Sequence, residues 1–132
     1  MSNISGKETK PEILVRKFLF SKGFRFRKND SRYPGKPDIV LPKYKTVIFI
    51  HGCFWHGHKG CKRSKLPETN VLFWKNKISL NIERDKKNRI ELEKQGWVVL
   101  IIWQCALRNE KLKIQTQNKL IDFLSKQITP NT

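Results

Sequence analysis

The chain has 132 residues, enough for one domain with one hydrophobic core, so residues 1–132 are predicted to form a single domain with residues 1–8 as a flexible lead-in. Lys and Arg number 28 against 11 Asp and Glu, which gives a formal net charge of +17. This excess goes beyond the magnitude of about 2–8 that suffices for solubility, and it favours a polyanionic partner, nucleic acid before an anionic membrane. No apolar run approaches the ~18 residues of a membrane span, and the N-terminal residues lack the apolar segment of a signal peptide. We therefore expect a cytoplasmic protein with no membrane partner.

The predicted elements follow the order α-β-β-β-α-β-α. They are a helix that starts after Thr9 and stops at Gly23, strands at 24–27, 37–41 and 46–51, a helix from about 71 to 95, a strand at 97–103 and a helix at about 109–127. Residues 47–50 and 97–103 are continuous apolar runs, which is typical of strands covered on both faces. This order predicts an α/β fold with one mixed central sheet flanked by helices.

Cysteine and histidine residues cluster directly after the third predicted strand. Cys53, His58 and Cys61 are spaced like zinc ligands, and Cys105 is the remaining cysteine of the chain. Cys105 follows the last apolar strand, so it reaches the same sheet edge if that strand is a parallel neighbour of the third. A site with three thiolates and one imidazole is typical of structural zinc. The alternative is three free cysteines that lie near histidines without binding metal.

Two histidines and one aspartate remain near the same edge. His51 and His56 are candidates for chemistry, the alternative being satisfied core or surface residues. Asp38 starts the second strand, and the short turn at 42–45 implies an antiparallel hairpin. Asp38 and His51 are therefore expected side by side at one end of the sheet. In so basic a chain, a carboxylate at this place indicates Mg²⁺ held against a phosphate.

The other polar and aromatic candidates each have a structural alternative. Glu12 fits a helix-capping box at least as well as a catalytic role. Asn81 and Asp85 lie four residues apart on one helix face, either as hydrogen-bonded buried groups or as the lining of a cleft. Phe54 and Trp55 suit a wedge between bases, although packing beneath the metal loop would also explain them. Trp97 and Trp103 are assigned to the core.

Taken together, these residues closely resemble the very short patch repair (Vsr-type) endonucleases, from about Thr9 to Leu107. In chain order, the matching motifs are Pro34-Gly35-Lys36-Pro37-Asp38, His51-Gly52-Cys53-Phe54-Trp55-His56-Gly57-His58 with Cys61, Phe73-Trp74, Asn81, Arg84-Asp85, Gly96-Trp97 and Trp103-Gln104-Cys105-Ala106-Leu107. The resemblance implies a restriction-endonuclease-like fold with one structural zinc. It also implies a Mg²⁺-dependent nick at a T·G mismatch left by deamination of 5-methylcytosine.

The resemblance also assigns roles to the acidic residues and histidines. Asp38 matches the metal-binding aspartate, and the Ile50 backbone carbonyl would bind the same Mg²⁺. His56 matches the residue proposed as general base or activator of water. His51 and Asp85 match residues that support metal-bound water, and Glu12 matches a nearby carboxylate.

The remaining roles concern zinc and DNA. The resemblance implies that zinc is bound by Cys53, His58, Cys61 and Cys105. It implies DNA contacts for Phe54, Trp55 and Trp74 beside the mismatch, and we assign Lys36, Asn81 and Arg84 to DNA binding as well.

The sequence thus predicts a monomeric nicking endonuclease that acts on double-stranded DNA with a T·G mismatch in the bacterial nucleoid. Other mismatch-repair proteins are further candidate partners. Two alternatives stay open, namely a Vsr-like nuclease of a mobile element without mismatch preference and a non-catalytic zinc-stabilised nucleic-acid-binding module.

Overall fold

The computed structural model describes residues 10–53, 56–58, 61 and 65–127. The predicted α-β-β-β-α-β-α order is confirmed, with short 3-10 turns at Pro42–Tyr44 and Gln104–Leu107. The elements are α1 (Lys10–Ser21), β1 (Arg27–Lys28), β2 (Ile39–Leu41), β3 (Thr46–His51), α2 (Val71–Lys94), β4 (Val98–Trp103) and α3 (Glu110–Ser125).

The strands form one mixed sheet in the order β1-β2-β3-β4. β2 and β3 are antiparallel, joined by the turn at Pro42–Tyr44, whereas β3 and β4 are parallel with His51 opposite Trp103. Because β2 pairs Ile39 with Ile48, the preceding Asp38 lies next to the C-terminal end of β3. The expected hairpin and the expected parallel pairing are both confirmed, so three strand ends meet at one edge of the sheet.

The first strand differs from the prediction. It covers only Arg27–Lys28, where the alternating pattern predicts residues 24–27. Phe24 and Phe26 instead pack against the hydrophobic core from outside the sheet. The alternation of apolar and polar residues at 24–27 therefore reflects an irregular segment that is buried on one side. A period-two pattern does not distinguish such a segment from a paired strand.

Helices cover both faces of the sheet, which explains the continuous apolar runs. On one face, Leu19 of α1 and Leu124 of α3 pack against Ile48 in one buried cluster. On the other face, Leu92 of α2 packs with Val47 and its neighbours in a second cluster. Each fully buried aliphatic side chain contributes about 1.5–3 kcal/mol to the free energy of folding.

Among the described residues, no helix is both long enough and apolar enough to cross a membrane.

Candidate active site and metal-ligand cluster

A carboxyl pair lies where α1 meets the start of β2. Asp38 Oδ2 accepts a hydrogen bond from the Ile50 backbone N–H at 2.6 Å, and the Asp38 carboxyl group also hydrogen-bonds Glu12, which is buried on α1. Burial raises the pKa of Asp38 to about 7; the charge of Glu12 adds to this rise, whereas the Ile50 N–H and Arg16 oppose it. Below its raised pKa the Asp38 carboxyl group carries a proton, and a divalent cation that prefers oxygen ligands would replace this proton. The pair therefore fits Mg²⁺.

A histidine pair lies beside this carboxyl pair. The His51 and His56 rings are stacked with centroids 3.7 Å apart and planes 3° apart. His56 Nδ1 lies 2.6 Å from Asp85 Oδ2 on α2. Burial, and next the charge of His56, lower the pKa of His51 to about 4, so His51 is neutral at pH 7. His51 Nδ1 is buried and meets no hydrogen-bond partner within the described part of the chain.

The His51, His56 and Asp85 group could also be interpreted as a metal site, because its ligand atoms lie within 4.8 Å of one another. Face-to-face stacking, however, keeps the two imidazole planes parallel. Ring-nitrogen lone pairs lie in the ring plane, so parallel stacked rings do not aim them at a common point between the rings. The geometry suits a hydrogen-bonded relay from Asp85 to His56 better than a second metal centre.

Three thiols and one imidazole gather at the same sheet edge. The ligand atoms of Cys53, His58, Cys61 and Cys105 lie within 4.8 Å of one another, and Cys105 Sγ is 3.4 Å from His58 Nδ1. Ligands ~2.0–2.3 Å from a tetrahedral zinc are separated by ~3.3–3.8 Å, so this contact has the required length. Burial raises the pKa of the Cys53 thiol to about 11, and a bound cation would offset that cost. The donor set therefore fits zinc.

Trp103 connects the two groups of side chains. Its ring stacks on His58 at a centroid distance of 4.0 Å and meets His51 edge-on at 5.1 Å. Trp103 is half-buried at the end of β4, whereas Trp97 is buried as predicted. The assignment of Trp103 to the core was thus incomplete, because the parallel pairing places its ring between the metal-ligand cluster and the histidine pair.

The predicted DNA-contact residues that the structure describes lie on α2 and in the segment before β2. Trp74 and Asn81 are half-buried on α2, and Arg84 and Lys36 are exposed. Trp74 also packs edge-to-face on Phe73, with ring centroids 5.1 Å apart. Phe54 and Trp55, the predicted base wedge, lie outside the described residues.

Arg16 is a site neighbour that the sequence pattern did not reveal. It is only 8% exposed, and its charge opposes the rise of the Asp38 pKa. Among 28 Lys and Arg residues, a single arginine carries no signal of its own. The position of Arg16 could have indicated its place, because Arg16 lies one helical turn after Glu12 and near the core residues Val15 and Leu19 on α1.

Gly57 allows the loop that carries His56 and His58 to lie against α2. It has φ +59, and a Cβ added there would lie 2.7 Å from Ile82 Cδ1 and 2.9 Å from Ile78 Cγ2. Gly57→Ala is expected to lower the free energy of unfolding by ~2–4 kcal/mol, from left-handed backbone strain plus overpacking. Thermal unfolding of the purified protein measures this loss.

Gly23→Ala is the matched control for this prediction. Gly23 has a similar backbone strain, at φ +89, but a Cβ added there would meet nothing within 4 Å. Only the strain cost of ~1–2 kcal/mol is expected there. Equal losses in the two variants would contradict the close approach of the loop to α2.

The comparisons with known proteins agree with this architecture. The solved structure of the homing endonuclease I-Bth0305I catalytic domain superposes with a TM-score of 0.64 at 20% identity, covering 92% of this chain and 100% of that one. The two folds are therefore alike, and the predicted fold class, a mixed central sheet flanked by helices, is confirmed. Residues 1–63 match the family model described as DNA mismatch endonuclease Vsr.

Full-length relatives extend the match beyond that segment. The type II nicking enzyme V.NmeAIP of Neisseria meningitidis is 58% identical over 92% of this chain and 86% of its own length. The DNA mismatch endonuclease Vsr of Escherichia coli K12 is 45% identical over 85% of this chain and 72% of its own. The type II nicking enzyme V.XorIIP of Xanthomonas oryzae is 45% identical over 81% of this chain and 78% of its own length. The chain belongs to the Vsr family of DNA mismatch endonucleases.

Proposed function

We propose that this chain is a Mg²⁺-dependent endonuclease that nicks one DNA strand at a T·G mismatch, acting as a monomeric single domain in the bacterial cytoplasm. The observation that carries the proposal is the Asp38–Glu12 carboxyl pair, which lies at the same sheet edge as the His56–Asp85 hydrogen bond. Membership of the Vsr family supports the mismatch as substrate. The net charge of +17 supports DNA as the polyanionic partner.

Asp38, with the backbone carbonyl of Ile50, would hold the magnesium ion. The bound ion would supply positive charge to the scissile phosphate and to the oxygen that leaves. Before the ion binds, the Glu12 carboxyl group hydrogen-bonds Asp38 and keeps Asp38 in place. Arg16 partly offsets the negative charge of the pair before the cation binds.

His56 would take the proton from the attacking water. When His56 Nδ1 donates its proton to Asp85 Oδ2, Nε2 of the neutral ring is left as the proton acceptor. The stacked, neutral His51 fixes the plane of the His56 ring without adding a second positive charge. His51 thereby acts as a positioning residue, and its buried Nδ1 is available for a water at the site.

The Cys₃His cluster has a structural role in this proposal. Zinc held by the cluster would tie the loop that follows β3 to the end of β4. His56 lies between the ligands Cys53 and His58, so that tie would also fix the position of His56. Phe54, Trp55 and Trp74 would contact the bases at the mismatch, with Lys36, Asn81 and Arg84 on the surrounding DNA.

A strand-specific nicking assay tests the proposed function. The zinc-loaded protein is incubated with Mg²⁺ and a duplex carrying one T·G pair, each strand labelled in a separate reaction, beside a matched T·A duplex. We expect a single nick in the T-containing strand and little cleavage of the T·A duplex. No cleavage of either duplex would refute the nuclease proposal, and equal cleavage of both would refute mismatch specificity.

Asp85→Asn is expected to lower kcat about 10–100-fold, because the amide no longer fixes the tautomer and orientation of His56. The apparent KM for DNA should stay equal or fall, since a negative charge near the phosphate is lost. Steady-state nicking kinetics separate the two parameters. His56→Ala should lose about 100–10,000-fold in kcat because the general base itself is removed.

The exposed Glu83 on the same helix supplies the control, since Glu83→Gln makes the same charge change without touching His56. Its kcat should remain within about twofold of the parent, as is usual for exposed substitutions away from a site. A Glu83→Gln variant as slow as Asp85→Asn would contradict a specific role for the His56–Asp85 hydrogen bond.

A further inference from the structure

A basic groove lies between one side of α1 and the segment that leads into β1. It has a volume of about 720 Å³. The lining residues are Ile13, Arg16, Lys17, Phe20, Ser21, Arg25, Phe26 and Lys28. Four of these are cations, and none of the described residues that line the groove carries a carboxylate. The groove is therefore complementary to a chain of phosphates.

Aromatic rings lie among these cations. Phe20 is 61% exposed although it is a large apolar residue, and the Arg25 guanidinium covers its ring at 4.9 Å from the centroid. Exposed aromatic rings beside cations suit the stacking of unpaired bases. A base-paired duplex presents its phosphates outward but keeps its base faces stacked inside, so it would leave such rings without a partner.

The groove and the proposed active site share Arg16 as a neighbour. Arg16 lines the groove, and its charge also acts on Asp38. The groove face of α1 from Ile13 to Ser21 extends ~12 Å along the helix, at ~1.5 Å per residue. That length accommodates a short stretch of strand that starts at the Asp38 end and passes Phe20.

We propose that this groove binds single-stranded DNA that continues from the nicked strand. This inference rests on the proposed function, since it names where one product strand lies after the nick. The Arg25 side chain contacts the backbone phosphates in the groove, and a base displaces the guanidinium from the face of Phe20 and stacks there. Binding of the freed strand would hold the nick open for the enzymes that act on it next.

Binding of a labelled thymidine hexanucleotide in Mg²⁺-free buffer tests the inference by fluorescence anisotropy over a series of salt concentrations. Arg25→Gln is expected to weaken binding about tenfold and to lower the slope of log Kd against log salt by about 0.7, the loss of one single-strand phosphate contact. Phe20→Ala is expected to weaken binding about tenfold with no change in slope. An abasic strand of equal length should bind to Phe20→Ala and to the parent equally well.

Lys94→Gln is the matched control, because Lys94 is an exposed cation at the end of α2, which covers the opposite face of the sheet. Its slope should equal that of the parent. The proposal would be overturned if Lys94→Gln and Arg25→Gln changed the slope of log Kd against log salt equally. It would also be overturned if Arg25→Gln and Phe20→Ala lost as much affinity for a blunt duplex as for the hexanucleotide. Phe20 and Arg25 are both exposed, so each variant is expected to fold like the parent. Circular dichroism of each variant verifies this.

The T·G nicking assay, carried out on the same parent protein, separates this inference from the proposed function. A parent that nicks the T·G duplex while its groove variants bind the hexanucleotide unchanged would refute the groove alone. A parent that cleaves no duplex would refute the proposed function. Hexanucleotide binding that depends on Arg25 and Phe20 would then still establish a single-strand site.

Discussion

Asp38→Asn is expected to abolish nicking, with a loss of about 1,000-fold or more, while it makes the metal-free protein more stable. The activity falls because an amide is a poor replacement for a charged oxygen ligand of Mg²⁺. The fold tolerates the change because the amide oxygen can still accept the hydrogen bond from the Ile50 N–H. The amide NH₂ can donate to Glu12 in place of the Asp38 carboxyl proton.

The gain in stability follows from the direction of the pKa shift. The pKa of Asp38 is raised from 3.8 to about 7 in the folded protein, chiefly by burial. Between these two values the folded chain binds more protons than the unfolded chain, so the free energy of unfolding falls as the pH rises. The penalty is complete above about pH 7. Asp38→Asn removes it and is expected to gain ~2–4 kcal/mol at pH 8 and little at pH 4.

Urea unfolding at pH 4 and pH 8 in Mg²⁺-free buffer, together with the nicking rate, measures both effects. Asp122→Asn is the control, because Asp122 is 68% exposed and the substitution makes the same charge change. It should leave the nicking rate and the pH dependence as they are in the parent. A parent and an Asp38→Asn variant with the same pH dependence of stability would contradict the raised pKa of Asp38.

Loss of the Cys₃His cluster is the second large effect that we expect. Cys105→Ala removes one of four ligands and with it the tie between β4 and the loop after β3. The free energy of unfolding should fall by ~3–5 kcal/mol and the Tm by roughly 10–20 °C, because metal binding and folding are coupled. Nicking should be lost as well, since His56 lies in the same loop.

Zinc content and Tm, each measured before and after treatment with a strong chelator, check this prediction. The parent protein should lose stability on chelation, whereas Cys105→Ala should hold no zinc and show no further loss. A parent that keeps its Tm after complete removal of zinc would contradict a structural role for the cluster.

The sequence predicted the part of the site that follows from strand order. Two continuous apolar runs indicated strands buried on both faces, and a short turn indicated the hairpin. Those three strand ends bring Asp38, the loop after His51 and Cys105 to one edge. Local pattern was sufficient because the ligands lie within a few residues of the strand ends.

The remaining features depend on packing between elements distant in the sequence. The Asp38–Glu12 hydrogen bond requires α1 to lie against the start of β2, and no local period encodes that contact. The capping box offered Glu12 a complete local explanation. In the same way, the stacking of Trp103 on His58 results from the β3–β4 register, which apolar composition alone does not specify.

The central claim is that two metal centres with different roles lie at one sheet edge, and metal-resolved nicking tests it most directly. The protein is dialysed into metal-free buffer, its zinc content is measured, and T·G nicking is assayed with Mg²⁺, with zinc alone and without added metal. We predict that the protein retains one zinc ion per chain, does not nick without added metal, and nicks when Mg²⁺ alone is supplied. Full nicking with no Mg²⁺ present, or full nicking by zinc-free protein, would contradict the claim.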